Sequence, residues 1–313
     1  MKIFRYRQAT RNRDKVYGLL GLVTDWGTTG PSPIIPVYDT STIHQQIFTR
    51  STAAIIQSTR SLDILCQHGN IDINYFSILP SWVIDYSIPV SELGTTDRTH
   101  HQIPLYDADG GALANVSTIE ENILVLEAIK VDSLLTICEA MGAGYGEPQP
   151  KILKQWFDKA SQEKSISPNW EQNFWRVLCG DTIVDPTSTY LRADPTDELL
   201  FDIQELLSGR LLAGPAVKAA TTRRKFFISR KGYMGLAPDR AGGAGTVFFG
   251  KEEVFVIPGG KTPFLLRPSG TRHVPGIGIK PCYHFLGDCY LHGFMDDEGI
   301  SDFDTKKQKI YLV

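Results

Sequence analysis

The stretch EVFVIPGGKTPFLLRP, Glu253 to Pro268, decides how the C-terminal part of this chain folds. Two short apolar runs flank Pro258 to Lys261, a segment whose composition suits a hairpin turn and not a helix. Successive side chains in a strand point to opposite faces, so a run with one wet face alternates apolar and polar. Here both parities are apolar: Val254 and Val256 on one side, Phe255 and Ile257 on the other, with Leu265 against Phe264 and Leu266. Strands of this kind are covered on both faces.

Outward from this hairpin the same texture continues. KFFIS, TVFF, CYHFL and DCYLHGFM complete six short β-type runs between Arg224 and Met295, punctuated by glycine. The pattern predicts a small β-barrel-like or curled-sheet C-terminal region over 223–313. Residues 147–222 read as a helical middle, with helices expected over Ile152 to Glu163, Asn169 to Leu178 and Thr196 to Leu212. Residues 1–146 read as a mixed α/β region. Helices are expected at Arg13 to Leu22 and Tyr38 to Arg60, the second capped by Thr40 or Ser41 and burying Ile47, Phe48, Ser51, Ala54 and Ile55. PSWVIDYS, Pro80 to Ser87, reads as a tethered loop or edge segment, and residues 88–121 as irregular. ILVLEAIKVDSLLTI, Ile123 to Ile137, reads as two strands joined by a turn at Val131, Asp132 and Ser133. The fold class is therefore α+β, with helical N-terminal and middle regions.

Composition narrows the role. The 313 residues are 42% hydrophobic and 21% charged, with net charge −3. That balance gives no drive toward nucleic acid or an anionic membrane. Five cysteines, odd in number and mostly scattered, do not make the framework of a small secreted domain. The expectation is a soluble cytoplasmic protein, with no membrane or nucleic-acid partner and with Asn115-Val116-Ser117 a chance match to a glycosylation site.

Cys282, His284, Cys289 and His292 are ligand types zinc accepts. Counting by twos puts Cys282, His284, Leu286, Asp288, Tyr290 and His292 on one face and Cys289 on the other, unless Gly287 hosts a bulge. Buried cysteines and hydrogen-bonded histidines are the simpler reading, and no metal residue is assigned. GTVFFGKE (245–252) and GGKT (259–262) imitate a phosphate-binding loop, but each lacks part of the pattern and the helix that would meet the anion. The basic groups from Lys2 to Lys15 and from Arg223 to Lys231 read as solvated faces. Ser161 to Lys164 falls in a polar helix end, and Asp296, Asp297 and Glu298 read as carboxylates facing water. No catalytic residue, cofactor site or cofactor is assigned.

Six stretches in order, RDKVYGLLGL (13–22), PSWVIDYS (80–87), NFWRVLCGDT (173–182), RRKFFISRKGYMGLAP (223–238), PFLLRPSG (263–270) and GDCYLHGFMDDEG (287–299), resemble the fungal heterokaryon incompatibility (HET) proteins. The family strand that reads like GEAYVHGIMDGE is matched by Asp288, Tyr290, His292, Gly293, Met295, Asp296 and Glu298, while Cys289 departs from it. The resemblance marks Arg13, Asp14, Tyr17, Trp82, Trp175, Arg176, Gly232 and Arg267 as further motif positions, all read as structural. The family's LSY-x-WG-like opening and W-I-D-x-L-C-I-like strand, which belong to its cell-death module, are not among these residues. The resemblance therefore implies the region that follows the HET domain. It implies a non-enzymatic accessory or regulatory protein of allorecognition and programmed cell death, acting on protein partners. The alternatives are an enzyme or ligand-binding protein using the polar face of the last strand, and a truncated HET gene product.

Overall fold

The computed structural model describes residues 9–20, 34–38, 43–67, 79–88, 97–119, 122–142, 149–162, 168–194, 205, 207–208, 213–242, 251–300 and 306–313. Within them the chain is α+β. Two helices, α1 (Asp14–Leu20) and α2 (His44–Thr59), precede β1 (Val116–Ile119) and β2 (Ile123–Ala140). Then come α3 (Pro150–Gln162), α4 (Trp170–Cys179), the hairpin β3 (Thr182–Val184) and β4 (Tyr190–Arg192), and α5 (Pro215–Thr221). The rest is strand: β5 (Arg224–Ser229), β6 (Met234–Pro238), β7 (Glu253–Val256), β8 (Phe264–Val274), β9 (Gly278–Asp288), β10 (Tyr290–Leu291) and β11 (Gln308–Leu312).

The C-terminal strands join β1 and β2 in one nine-stranded mixed sheet, in which β2 pairs both β5 and β7. The strand pairings run β2 to β5, β5 to β6 and β6 to β10, all antiparallel. β10 continues β9 through Cys289, whose amide donates to the Pro263 carbonyl at 2.8 Å. β9 pairs β8, β8 pairs β7, and β7 returns to β2. Val131, Leu134, Phe227, Ala237, Val254, Val256, Leu265, Leu286, Cys289 and Leu291 gather into one buried cluster inside this circuit.

The opposite parity of the same strands packs outward against two other cores. Phe255, Ile257, Phe264, Leu266 and Phe285 join α2, Leu62, Leu65 and the loop residues Trp82 and Ile84. Phe226, Ile228, Met234, Leu236 and Tyr290 join Trp156, Phe174, Trp175 and Val217 from α3, α4 and α5. The double-sided apolarity of residues 253–268 thus has its physical cause: each strand separates an interior from a helical layer. The turn between β7 and β8 is where the sequence puts it, and Gly259 there has φ +89°. A Cβ at Gly259 would lie 2.7 Å from that of Ala114 and 2.8 Å from the Arg60 carbonyl.

Two expectations are corrected. Ile123 to Ile137 is not two strands around a turn but part of one 18-residue strand. The register slips between Lys130 and Asp132 where β2 pairs β7. Asp132 and Ser133, the residues that suggested a turn, are used by neighbouring backbone instead: Asp132 Oδ2 accepts from Lys231 N at 2.8 Å and Ser133 O from Arg230 N at 2.9 Å. The slip carries β2 from the outer core, served by Leu124, Leu126 and Ala128, to the interior, served by Val131 and Leu134. β2 comes from the first of the three sequence regions and forms the shared wall of the β-rich third.

The second correction concerns parity near Gly287. A bulge is present: Leu265 pairs Gly287 while Leu266 pairs Phe285, leaving Leu286 over. Gly287 has φ +135°, a conformation that suits a residue without a side chain. Leu286 therefore shares the interior with Cys289 and Leu291, not a face with His284 and Cys282, and Cys282 lies in a separate small cluster with Val125, Val274 and Tyr311.

The helices of the middle region fall at Pro150–Gln162 and Trp170–Cys179, as the periodicity predicts. α2 buries Ile47, Phe48, Ser51 and Ala54, with Ile55 partly covered. The proposed caps Thr40 and Ser41, the strand TVFF and most of the helix Thr196 to Leu212 lie outside the described residues. Among the described residues no helix is long and apolar enough to cross a membrane.

Candidate functional site

β10 is where the motif residues converge. Just before it, Asp288 is buried and ion-paired to two arginines that the sequence places far away. Arg98 Nη1 contacts its Oδ2, and Arg224 Nη2 lies 3.3 Å from the same atom. Arg224 Nη2 also donates to the carbonyls of Asp288 at 2.7 Å and Leu236 at 3.1 Å. Arg224 heads β5 and is 1% exposed. Arg98 opens a single π-helical turn, Arg98–Gln102, whose other end sends Gln102 Nε2 to the carbonyls of Cys179 and Ala216, each at 3.0 Å. Burial works to raise the Asp288 carboxyl, but Arg98 and then Arg224 outweigh it and hold the group below the usual carboxylate range. Burial, and then the neighbouring Arg98, push Arg224 down to about 10, against the pull of Asp288.

Just after Asp288, on the outer side, a second network surrounds Tyr290. The α4 motif NFWRVLCGDT contributes Arg176 and Asp181. Gly180, with φ +63°, ends α4 in the left-handed conformation typical of a helix stop. It must be glycine for a second reason, because a Cβ there would lie 2.8 Å from the Tyr106 hydroxyl. That hydroxyl donates to the Gly180 carbonyl at 2.7 Å. The stop turns Asp181 back onto Arg176, which also donates to the Asp194 carbonyl at 2.7 Å. Arg192, at the end of β4, bridges Asp181 at 3.3 Å and Asp296 at 2.7 Å, its guanidinium 5.2 Å from the Tyr106 ring centroid.

Tyr290 is fully buried, while His292 is half-buried. The Tyr290 hydroxyl and His292 Nδ1 are 3.2 Å apart. Burial drives the Tyr290 hydroxyl well above its ordinary value. Burial also lowers the His292 imidazole against the attraction of Asp181, with Arg176 and Arg192 reinforcing the shift. The ring therefore stays neutral near pH 7 and can take a hydroxyl partner. Burial pushes the neighbouring Cys289 thiol up to about 12, so it remains protonated.

The other motif positions lie apart from β10. Arg267 on β8 pairs Glu252 at 2.8 Å, and Glu252, which the phosphate-loop imitation would need as a hydroxyl, is 1% exposed. Trp82 sends its indole N–H to the Asn122 carbonyl at 3.2 Å and Trp175 packs in the core around α4. Gly232, with φ +87°, makes the turn from β5 to β6, and Glu298 Oε2 accepts from the Asp296 amide at 3.0 Å. Arg13 and Tyr17 meet Tyr38: the guanidinium sits 5.5 Å from its ring centroid and the two rings stack edge-on at 5.4 Å. Asp14 starts α1. Sequence reasoning missed Arg98, Gln102, Tyr106, Asp181 and Arg192 as members of the site. It saw Arg224 only as part of a basic surface run.

Residues 198–313, which contain β5 to β11, match the Het-6 beta-barrel domain. The chain is also 25% identical over 370 aligned positions to heterokaryon incompatibility protein 6, OR allele, of Neurospora crassa, an alignment covering 97% of this chain and 51% of that protein. Both matches support a relation to the heterokaryon incompatibility proteins. It spans about half the length of the curated relative it matches. No solved structure matches it. In family terms, the residues around β10 are the motif GDCYLHGFMDDEG meeting the motif NFWRVLCGDT in space.

Proposed function

We propose that this chain is a non-enzymatic accessory or regulatory protein of fungal heterokaryon incompatibility, working in the cytoplasm through protein partners. The observation that carries the reading is how the polar motif side chains are employed. Asp288, Arg176 and Arg267 each hold a buried or half-buried partner within the fold. Tyr290 is sealed in a core. Residues spent in this way stabilise a surface and leave its recognition work to groups around them.

Expression of the chain in a fungal host, alone and in fusions between genetically different strains, tests the reading. Alone, it leaves growth unchanged; in the mixed fusion it alters the strength of the incompatibility reaction. Growth arrest by the chain alone, as strong as that caused by a full-length relative, overturns it. The rival reading rests on the half-buried His292 after β10 and on Asp296 four residues later, whose side chain is 50% exposed. His292→Ala separates the two, because loss of phenotype with unchanged melting belongs to catalysis or ligand binding.

A further inference from the structure

β7 covers the outer edge of β8 only as far as Leu266, which pairs Glu253. From there to Val274, among the described residues, β8 has β9 as its one strand neighbour: Thr271 pairs Pro281, Arg272 pairs Lys280 and His273 pairs Ile279. A proline fixes which backbone groups face outward. Pro281 has no N–H to give Thr271, so those two form a non-hydrogen-bonded pair, and the alternation of an antiparallel ladder makes Arg272 and Lys280 the bonded pair. The N–H and C=O of Thr271 and His273 therefore point away from β9, and both residues are exposed. The usable edge has definite ends. Pro268 and a bulge with Gly270 at φ +84° close one side, and the turn in which Ile277 N donates to the Val274 carbonyl at 3.0 Å closes the other. A Cβ at Gly270, Gly276 or Gly278 would meet nothing within 4 Å, so the ribbon stands in open space.

Its two faces differ in chemistry. Arg272 and Lys280 share the parity of Val274 and Cys282, which are buried against Val125 and Tyr311. Like charges directly opposite each other on two strands repel, and neither cation has an ion pair among the described residues. Val254 to Gly287 holds Lys261, Arg267, Arg272 and Lys280 and no carboxylate, which leaves −7 on the remainder of a chain of net charge −3. The local field reaches His284, whose imidazole is lowered first by burial, with Arg272 and Arg267 adding to the shift. On the opposite face His273 stands across from Ile279, which is 72% exposed.

We propose that the edge from Thr271 to His273 takes up an extended peptide of a partner protein as an added antiparallel strand, the peptide alternating carboxylate and aliphatic side chains. Thr271 and His273 each supply one outward donor and one outward acceptor to its backbone. Side chains of paired residues share a face, so the carboxylates lie beside Arg272 and Lys280 and the aliphatic groups beside Ile279. A second copy of the same edge would bring Arg272 against its own counterpart. A long polyanion or an anionic membrane would meet the negative remainder of the chain. The inference rests on the reading of this chain as one that works through protein partners, and it names the surface and the chemistry of the partner.

Hydrogen exchange followed by NMR on the full chain tests it, first alone and then with an acetylated, amidated Glu-Val-Glu-Val-Glu-Val peptide. In the free chain the Arg272 amide exchanges slowly and those of Thr271 and His273 fast. The peptide saturates at one per chain and protects both. Slow exchange of Thr271 and His273 before peptide is added, in a monomer or a dimer, means that the chain itself covers the edge and overturns the proposal. Arg272→Glu weakens the peptide roughly fivefold, and a Lys-Val-Lys-Val-Lys-Val peptide binds that variant better than it binds the parent. N-methylation of the valines, which lie opposite Thr271 and His273, abolishes binding, whereas N-methylation of the glutamates is tolerated. This arm needs no change in the protein, and equal tolerance of both sets overturns strand addition. Tighter binding of oligothymidylate or of phosphatidylserine vesicles than of the peptide, lost in Arg272→Glu, overturns the proposal in favour of nucleic acid or membrane. A peptide that fails to bind a chain which still alters the incompatibility reaction sinks this surface and leaves the proposed function standing. A peptide that binds as expected to a chain without effect in the mixed fusion supports the surface and sinks that function.

Discussion

Asp288 keeps two guanidinium groups solvated by protein instead of water. Removing its charge leaves Arg98 and Arg224 buried without compensation, a change that typically costs about 3–5 kcal/mol. Asp288→Asn should therefore lower stability by that order in urea melts, and Arg98→Met in the same chain should recover part of it. Equal stability of Asp288→Asn and the parent would mean that the arginines are not confined. The folded carboxyl lies below its ordinary value of 3.8, so the pair contributes fully above that pH and its contribution is lost as pH falls through the folded value. His292 also acts on the acid side, by the opposite ionisation. Its folded value lies below 6.5, so below that pH the unfolded chain takes up the proton first and stability declines with acid. An NMR titration should find the His292 ring titrating below 6.5, and a midpoint above it would show that Asp181 outweighs burial. Tyr290→Phe should cost about 1 kcal/mol, the net worth of one hydrogen bond, without changing the core.

At the scale of elements, β10 is two residues long and depends on close backbone approach to β6. Gly235 permits that approach, because a Cβ there would lie 2.3 Å from the Tyr290 carbonyl and 2.6 Å from the Phe227 ring. Gly235→Ala must push β10 away or expel Phe227 from the interior, and overpacking of this kind costs roughly 3 kcal/mol at its upper end. Hydrogen exchange should show the amide of His292, which donates to the Met234 carbonyl at 3.0 Å, losing protection before amides of β8 and β9. Uniform loss across all strands would instead place the damage in the interior. Elements of this kind were partly legible in the sequence. The double-sided runs of residues 253–268 announced their cover, because a period of two shows directly which faces are dry. The helices Pro150–Gln162 and Trp170–Cys179 were legible through their period. β2 was misread because Val-Asp-Ser is as compatible with a bulge as with a turn, and what decides is pairing with β5 and β7, far later in the chain. The partners of Asp288 were invisible for the same reason: Arg98 lies in a segment without period, and a lone arginine carries no sign of burial.

At the scale of the whole molecule, the 18 residues of β2 make the architecture one unit. Its first half pairs β1 and β11, its second half β7 and β5. Residues 198–313, the extent of the domain match, contain β5 to β11 and none of β2. Cut out alone, that segment loses the wall that joins β7 to β5 and leaves three strand edges open, a template for aggregation. It also loses Val131 and Leu134 from the interior cluster. The expected outcome is that 198–313 expressed alone shows no cooperative melting and binds hydrophobic dyes, whereas the full chain melts in one transition. In the full chain Trp82 lies in one core and Trp156 and Trp175 in another, so variants reporting from either core should give coincident curves. Adding a peptide of residues 116–142 to the isolated segment should restore order, because the missing wall is a single continuous strand. A sharp, peptide-independent transition of 198–313 would show that its strands close without β2, and the circuit drawn by the pairings would then be a feature of the longer chain and not a condition for folding.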